Sequence, residues 1–137
     1  MGRWDWVGRL HESIYRKSGG RVGANLGGKP MLLLTTTGRR SGERRTTPLL
    51  YYLDGETPVI VASNGGQDRD PAWCLNLRAN ERAEVRLGQD VFAARGEIAG
   101  PEERARLWPL LKAYNKPYRD YEKRTHREIP VVLLHRS

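Results

Sequence analysis

At 137 residues, with 38% hydrophobic and 29% charged side chains, the sequence is long enough for one hydrophobic core and too apolar for a disordered chain. Its 24 Lys/Arg against 16 Asp/Glu give a net charge of +8, which favours anionic partners: nucleic acid, phospholipid headgroups or an anionic small molecule. A single cysteine, Cys74, excludes an intrachain disulfide, and His11, His126 and His135 have no ligand spacing, so no metal site is expected.

The first expected element is an amphipathic helix over residues 3–18. Val7, Leu10 and Ile14 fall on one stripe with Trp6 beside them, and Arg3, Arg9, Arg16 and Lys17 occupy the other faces. Gly19 and Gly20 end it, and Gly23, Gly27 and Gly28 make the next stretch a loose connector. Such a helix either packs on its own domain or rests, through its tryptophans and basic residues, on an anionic membrane surface. No apolar run approaches the ~18 residues of a membrane span, and the N-terminus has no signal-peptide core. A cytoplasmic protein, at most peripheral to the membrane, is the expectation. The division is an N-terminal helix and connector over 1–30 and a folded domain over 31–137.

Two β-branched, apolar runs follow, Met31–Thr37 and Thr46–Leu53, joined by the polar connector Gly38–Arg45. Their composition predicts a β-hairpin with a long loop. That loop holds Arg39, Arg40, Arg44 and Arg45 against one acid, Glu43. Ser41, Thr46 and Thr47 add hydroxyls, and Gly38 and Gly42 let backbone amides turn toward a guest. Guanidinium forks and free amides suit a phosphate or polycarboxylate ligand, although a solvated basic hairpin has the same composition. The charge is uneven: residues 1–53 carry ten Lys/Arg and three Asp/Glu, whereas residues 54–100 carry five and eight.

Beyond an Asp54-Gly55 turn, Pro58–Ser63 reads as a buried strand ended by Asn64, Gly65 and Gly66. Asp70 and Pro71 then predict a helix start, with Asp70 as N-cap and Trp73 and Leu77 on a common face. Strands at Ala83–Leu87 and Val91–Ile98 flank a Gly88–Asp90 turn. Pro101 opens a second helix whose first turn holds Glu102 and Glu103, and Ile129–Leu134 reads as the last strand. Tyr114, Tyr118 and Tyr121 are spaced to share a helical face, with Pro117 a potential break between the first two. Six short strands and hairpin-length turns make a small, closed, mostly antiparallel barrel with peripheral helices the economical architecture, an α+β chain that is mainly β.

The stretches TTTGRRSGERRTTPL, ASNGGQDRDPAWCLNLRAN and YRDY, with the closing IPVV, resemble the deazaflavin-dependent nitroreductase family over residues 31–137. That resemblance implies a split β-barrel that binds reduced coenzyme F420 and passes a hydride to a small electron-poor acceptor such as a quinone or nitro compound. Contacts to the anionic coenzyme tail fall on Arg39, Arg40, Ser41 and Arg45, and contacts to the deazaflavin on Thr46, Thr47, Pro48, Leu49 and Leu50. Ala62, Ser63 and Asn64 stand where the family closes over the ring, and Ala72, Trp73, Cys74, Leu75 and Asn76 form the flanking helix start. Ser63, Tyr118 and Tyr121 fall on the acceptor side as candidates to stabilise or protonate the reduced acceptor. Three positions depart from the family pattern: Asn64 where lysine is frequent, and Leu50 and Asn115 where tyrosine is found.

Rival readings remain at this point. An FMN enzyme of the pyridoxamine-phosphate-oxidase type shares the fold, and a non-catalytic F420 carrier shares the arginine loop. A nucleic-acid-binding domain rests only on charge and scattered aromatics, and no recognised motif accompanies it. No obligate protein partner is evident. Cys74 has no neighbouring base in sequence and suits packing better than nucleophilic chemistry.

Overall fold

The structure is a computed structural model that describes Asn25, Leu26 and residues 29–137. The expected helix over 3–18 lies outside the described residues. Eight strands run β1 (Asn25–Leu26), β2 (Lys29–Thr37), β3 (Arg44–Leu50), β4 (Tyr52–Asp54), β5 (Thr57–Val61), β6 (Arg82–Leu87), β7 (Asp90–Ile98) and β8 (Val131–Arg136). Three helices, α1 (Ala72–Ala79), α2 (Pro101–Tyr114) and α3 (Pro117–Arg124), and a 3-10 turn at Asn64–Gly66 complete the described elements.

Every strand pairing is antiparallel. The order across the sheet is β1-β2-β6-β7-β8-β5-β4, with β3 on the other side of β2. The run expected as one strand, Thr46–Leu53, is two. β3 pairs with β2 up to Leu50 opposite Met31, and beyond Tyr51 the chain takes β5 as its partner, with Tyr52 opposite Val59. The sheet therefore closes through one bent run instead of a final row of hydrogen bonds, which gives a split barrel. The hydroxyl of Tyr114 donates to the Tyr51 carbonyl at 2.9 Å, and the rings of Tyr52 and Tyr114 meet edge-on at 5.2 Å, so the bend is pinned from α2.

Two apolar clusters occupy opposite faces of the curled sheet. One joins Leu32, Leu34, Ile60, Val132 and Leu134 to Trp73 and Leu77 of α1. The other sets Val59, Val61, Val131 and Leu133 against Leu107, Trp108 and Leu111 of α2 and Tyr118 of α3. The period-two alternation of β5 and β8 makes this two-sided burial possible, because each strand supplies both clusters.

Several boundaries differ from expectation. β2 starts at Lys29, and β3 starts at Arg44, because the register continues as Thr37 opposite Arg44 and Thr36 opposite Arg45. Those two arginines are strand residues on opposite faces, not loop residues. The last strand is shifted to Val131–Arg136. Asp70 does not cap α1: Pro71 is the capping residue and has no side-chain cap. The Asp70 carboxylate is held instead by Arg127 at 2.8 Å and Arg78 at 3.5 Å. The three tyrosines do not share a helix, because α2 ends at Tyr114, Asn115 is extended, and Pro117 starts α3. Proline lacks the N–H that would continue the ladder but is well suited to a helix's first turn.

Candidate functional site

The β2–β3 connection builds the first half of the site. Gly38 N–H donates to the Glu43 carbonyl at 2.7 Å, Gly42 N–H to the Gly38 carbonyl at 2.9 Å, and Glu43 N–H to Ser41 Oγ at 3.1 Å. Gly42 sits at φ +74°, a conformation glycine adopts without a Cβ clash. The loop is thus stiffened by its own amides. The N–H groups of Gly38, Gly42 and Glu43 are used within the loop and are not turned toward the cleft.

Those side chains border a cleft of about 670 Å³ between the loop, β3 and the start of α1, lined by Arg39, Arg40, Ser41, Arg44, Arg45, Thr46, Thr47, Ala72, Trp73 and Asn76 with Gly38. Asn76 ties its two walls together. Its buried Oδ1 accepts from Arg39 N–H at 3.1 Å and from Arg39 Nη1 at 3.4 Å, and its Nδ2 donates to Thr36 Oγ1 at 3.1 Å. Arg44 reaches the buried carboxylate of Glu84 at 3.5 Å. Arg45 meets Glu43 at 3.2 Å, but both are exposed, so that pair is screened and weak. Among the described residues Arg40 has no carboxylate partner. The cleft consequently carries more guanidinium charge than its own carboxylates neutralise, in a form suited to bidentate anion contacts.

A second cavity of about 390 Å³ lies under the barrel bend. Met31, Pro48, Leu49, Leu50, Val61 and Pro117 supply its apolar wall, and Lys29, Ser63, Asn115, Tyr118 and Tyr121 its polar groups. Pro48, Leu49 and Leu50 follow directly on the cleft residues Thr46 and Thr47 along β3, so one strand serves both spaces. Burial pushes the Tyr118 phenol up to about 12, with the Asn115 side-chain hydrogen bond opposing the shift. Tyr118 is therefore a neutral hydroxyl throughout the physiological range. Gly66, at φ +82°, lets the 3-10 turn press on α3: a Cβ there would stand 3.1 Å from Tyr121 Cα and from Arg124 Cβ. That close approach keeps Ser63 and Tyr121 on one cavity.

Nine of the residues expected to bind coenzyme line the cleft, and Pro48, Leu49, Leu50 and Ser63 line the cavity. Ala62, Asn64, Cys74 and Leu75 line neither. Ala62 and Cys74 are wholly buried in the core, and burial pushes the Cys74 thiol up to about 11, as suits a packing residue. Asn64, at φ +48°, turns its amide onto the Arg69 carbonyl at 3.1 Å. Leu75 is half-buried on α1. Lys29, Met31, Val61 and Pro117 were not anticipated, because a lysine before a strand and a proline opening a helix carry no ligand signal in sequence. No cluster of three or more metal-ligating side chains is found among the described residues.

The fold is a split barrel, and its arginine-lined cleft suits an anionic cofactor. The F420-H2-dependent reductase FDR-A superposes with a TM-score of 0.71 at 34% identity, covering 77% of this chain and 94% of that one. A chain solved as a domain-swapped dimer gives a TM-score of 0.72 at 33% identity, covering 96% and 98%. The F420H(2)-dependent quinone reductase Rv1261c of Mycobacterium tuberculosis H37Rv is 43% identical over 132 residues, 93% of this chain and 89% of the relative. The model of the F420H(2)-dependent quinone reductase family matches residues 6–136, and the chain belongs to that family.

Proposed function

We infer that this chain is an F420H2-dependent reductase that passes a hydride from reduced coenzyme F420 to a small electron-poor acceptor of the quinone type. The observation that carries this reading is an arginine-lined cleft and an apolar, hydroxyl-bearing cavity served by consecutive residues of β3. The donor set fits the coenzyme. Arg39, Arg40 and Arg45 exceed what a single flavin phosphate uses and suit a tail with several carboxylates and a phosphate. Family membership favours the same coenzyme over FMN.

Arg39, Arg40, Ser41 and Arg45 would hold the tail, while Arg44 at the cleft wall is engaged by Glu84. Thr46, Thr47, Ala72, Trp73 and Asn76 would hold the remainder, with Pro48, Leu49 and Leu50 leading to the acceptor side. When bound, the coenzyme supplies a two-electron hydride at a ring carbon, chemistry that no side chain provides. The protein's part is position and electrostatics. The apolar wall excludes water and favours a flat ring, and a neutral phenol is a donor that strengthens as negative charge develops on an acceptor oxygen. Ser63, Tyr118 and Tyr121 are the donors we assign to that role, and the proton delivered to a reduced quinone would come from one of them or from solvent through them.

Titration with F420 and with FMN, followed by ligand fluorescence, tests the coenzyme assignment. Saturable F420 binding with negligible FMN binding is expected, and the reverse would install the flavin reading. No described helix is long and apolar enough to cross a membrane. We propose a cytoplasmic protein with no obligate protein partner whose expected N-terminal helix over residues 3–18 touches anionic lipid; the boundary expected at residue 30 is not kept, because Asn25, Leu26, Lys29 and Pro30 already belong to the sheet. Vesicle sedimentation of the full chain against one lacking residues 1–20 checks the contact: equal sedimentation would assign the helix to packing.

A further inference from the structure

Between α3 and β8, Arg127 uses its whole guanidinium fork on groups far away in sequence. Nε donates to the Gln67 carbonyl at 2.9 Å, and Nη1 donates to Asp70 Oδ1 at 2.8 Å. Nη2 donates to the Ala62 carbonyl at 3.0 Å and the Ser63 carbonyl at 2.8 Å. The side chain is only 15% exposed. Its own N–H reaches Thr125 Oγ1 at 3.3 Å, and that hydroxyl donates to Asp68 at 2.9 Å, so the arginine's backbone is fastened to the segment its side chain grips.

The two ends of that segment serve different halves of the site. Ser63 lines the acceptor cavity. Asp70 precedes Pro71, the capping residue of α1, whose first residues Ala72 and Trp73 line the arginine cleft. One guanidinium therefore fixes the spacing between a cavity hydroxyl and the helix start at the cleft. A lysine ammonium is a point charge and cannot direct donors along all four of these vectors at once.

We propose that Arg127 is a positioning residue for hydride transfer: it sets Ser63 relative to the cleft, and its loss lowers turnover through Ser63 and not through coenzyme affinity. The proposal rests on the functional reading above and on Ser63 facing the acceptor. Transfer between two bound partners is sensitive to displacements of about 1 Å, which places the cost in kcat.

The test is a cycle of the full chain as wild type, Arg127→Lys, Ser63→Ala and the double variant. Melting temperature, F420 affinity, and kcat and KM with menadione are measured for each. Arg127→Lys is expected to stay folded, to bind F420 within about threefold of wild type, and to lose about tenfold in kcat with KM nearly unchanged. In the Ser63→Ala background the same substitution should cost less than about twofold. An equal loss in both backgrounds, a loss that tracks F420 affinity alone, or an Arg127→Lys chain that fails to fold would overturn the proposal. An inactive wild type would instead refute the functional reading, and this inference with it.

Discussion

Removing the Asn76 side chain strikes the joint between the arginine loop and the helix. Asn76→Ala takes the acceptor from Arg39 N–H and its guanidinium, and the partner from the Thr36 hydroxyl, which is 1% exposed. Three lost bonds, the one from the exposed Arg39 guanidinium at 3.4 Å contributing little, leave two at about 1 kcal/mol each and a buried hydroxyl unpaired, which puts the destabilisation at about 2–3 kcal/mol. At this chain length that lowers the melting temperature by roughly 6–10 °C. Arg39 then loses its anchor and must be ordered by the coenzyme itself, which should weaken F420 binding by about 1 kcal/mol, or fivefold. The assay pairs thermal unfolding with fluorescence titration at a temperature where the variant is folded. A melting temperature within about 2 °C of wild type would refute the buried network. A large drop with unchanged affinity would refute the claim that Asn76 organises the cleft.

The other expectations concern separate parts of the site. Arg40→Ala should leave stability unchanged, since Arg40 is exposed. It should weaken F420 binding by about 1–3 kcal/mol, with the difference shrinking at high salt; unchanged affinity in an Arg39→Ala, Arg40→Ala chain would move the anion site elsewhere. Tyr121→Phe should retain F420 binding and lower quinone turnover by roughly ten- to a thousandfold if its hydroxyl is a central donor. If neither it nor Tyr118→Phe changes turnover, the tyrosines are packing residues. Cys74 gives a pH test. Burial raises the folded thiol from an ordinary 9.0 to about 11, so its contribution is intact below pH 9.0 and lost as pH rises through about 11. Stability should therefore decline more steeply between those values in wild type than in Cys74→Ala, and equal slopes would contradict the buried neutral thiol.

Much of the site could be read from the sequence because its chemistry is local. The arginines, hydroxyls and glycines of residues 38–47 sit on one hairpin, and their charge is visible without tertiary structure. What escaped depends on partners distant in the chain. Composition marks Arg44 and Arg45 as turn residues, but the β2 register carries both into the strand. The change of partner at Tyr51 leaves no trace in the sequence, because TTPLLYYL has strand composition from end to end. Asp70-Pro71 carries a convincing helix-start signal, yet its carboxylate is claimed by Arg127, 57 residues away. Arg127 itself binds mainly carbonyls, which have no side-chain identity to read. Asn115, by contrast, departs from a tyrosine-bearing pattern in the sequence itself, and it lines the second cavity.

Hydride transfer from reduced F420 to a quinone on this chain can be followed directly. Reduced F420 and menadione are mixed with and without the protein, and the return of oxidised coenzyme is followed by its absorbance. Saturable, protein-dependent oxidation is expected that requires the quinone and is not reproduced with reduced FMN. Coenzyme that binds yet is oxidised no faster than in free solution, across quinones and nitro compounds alike, would contradict it and make the protein a carrier.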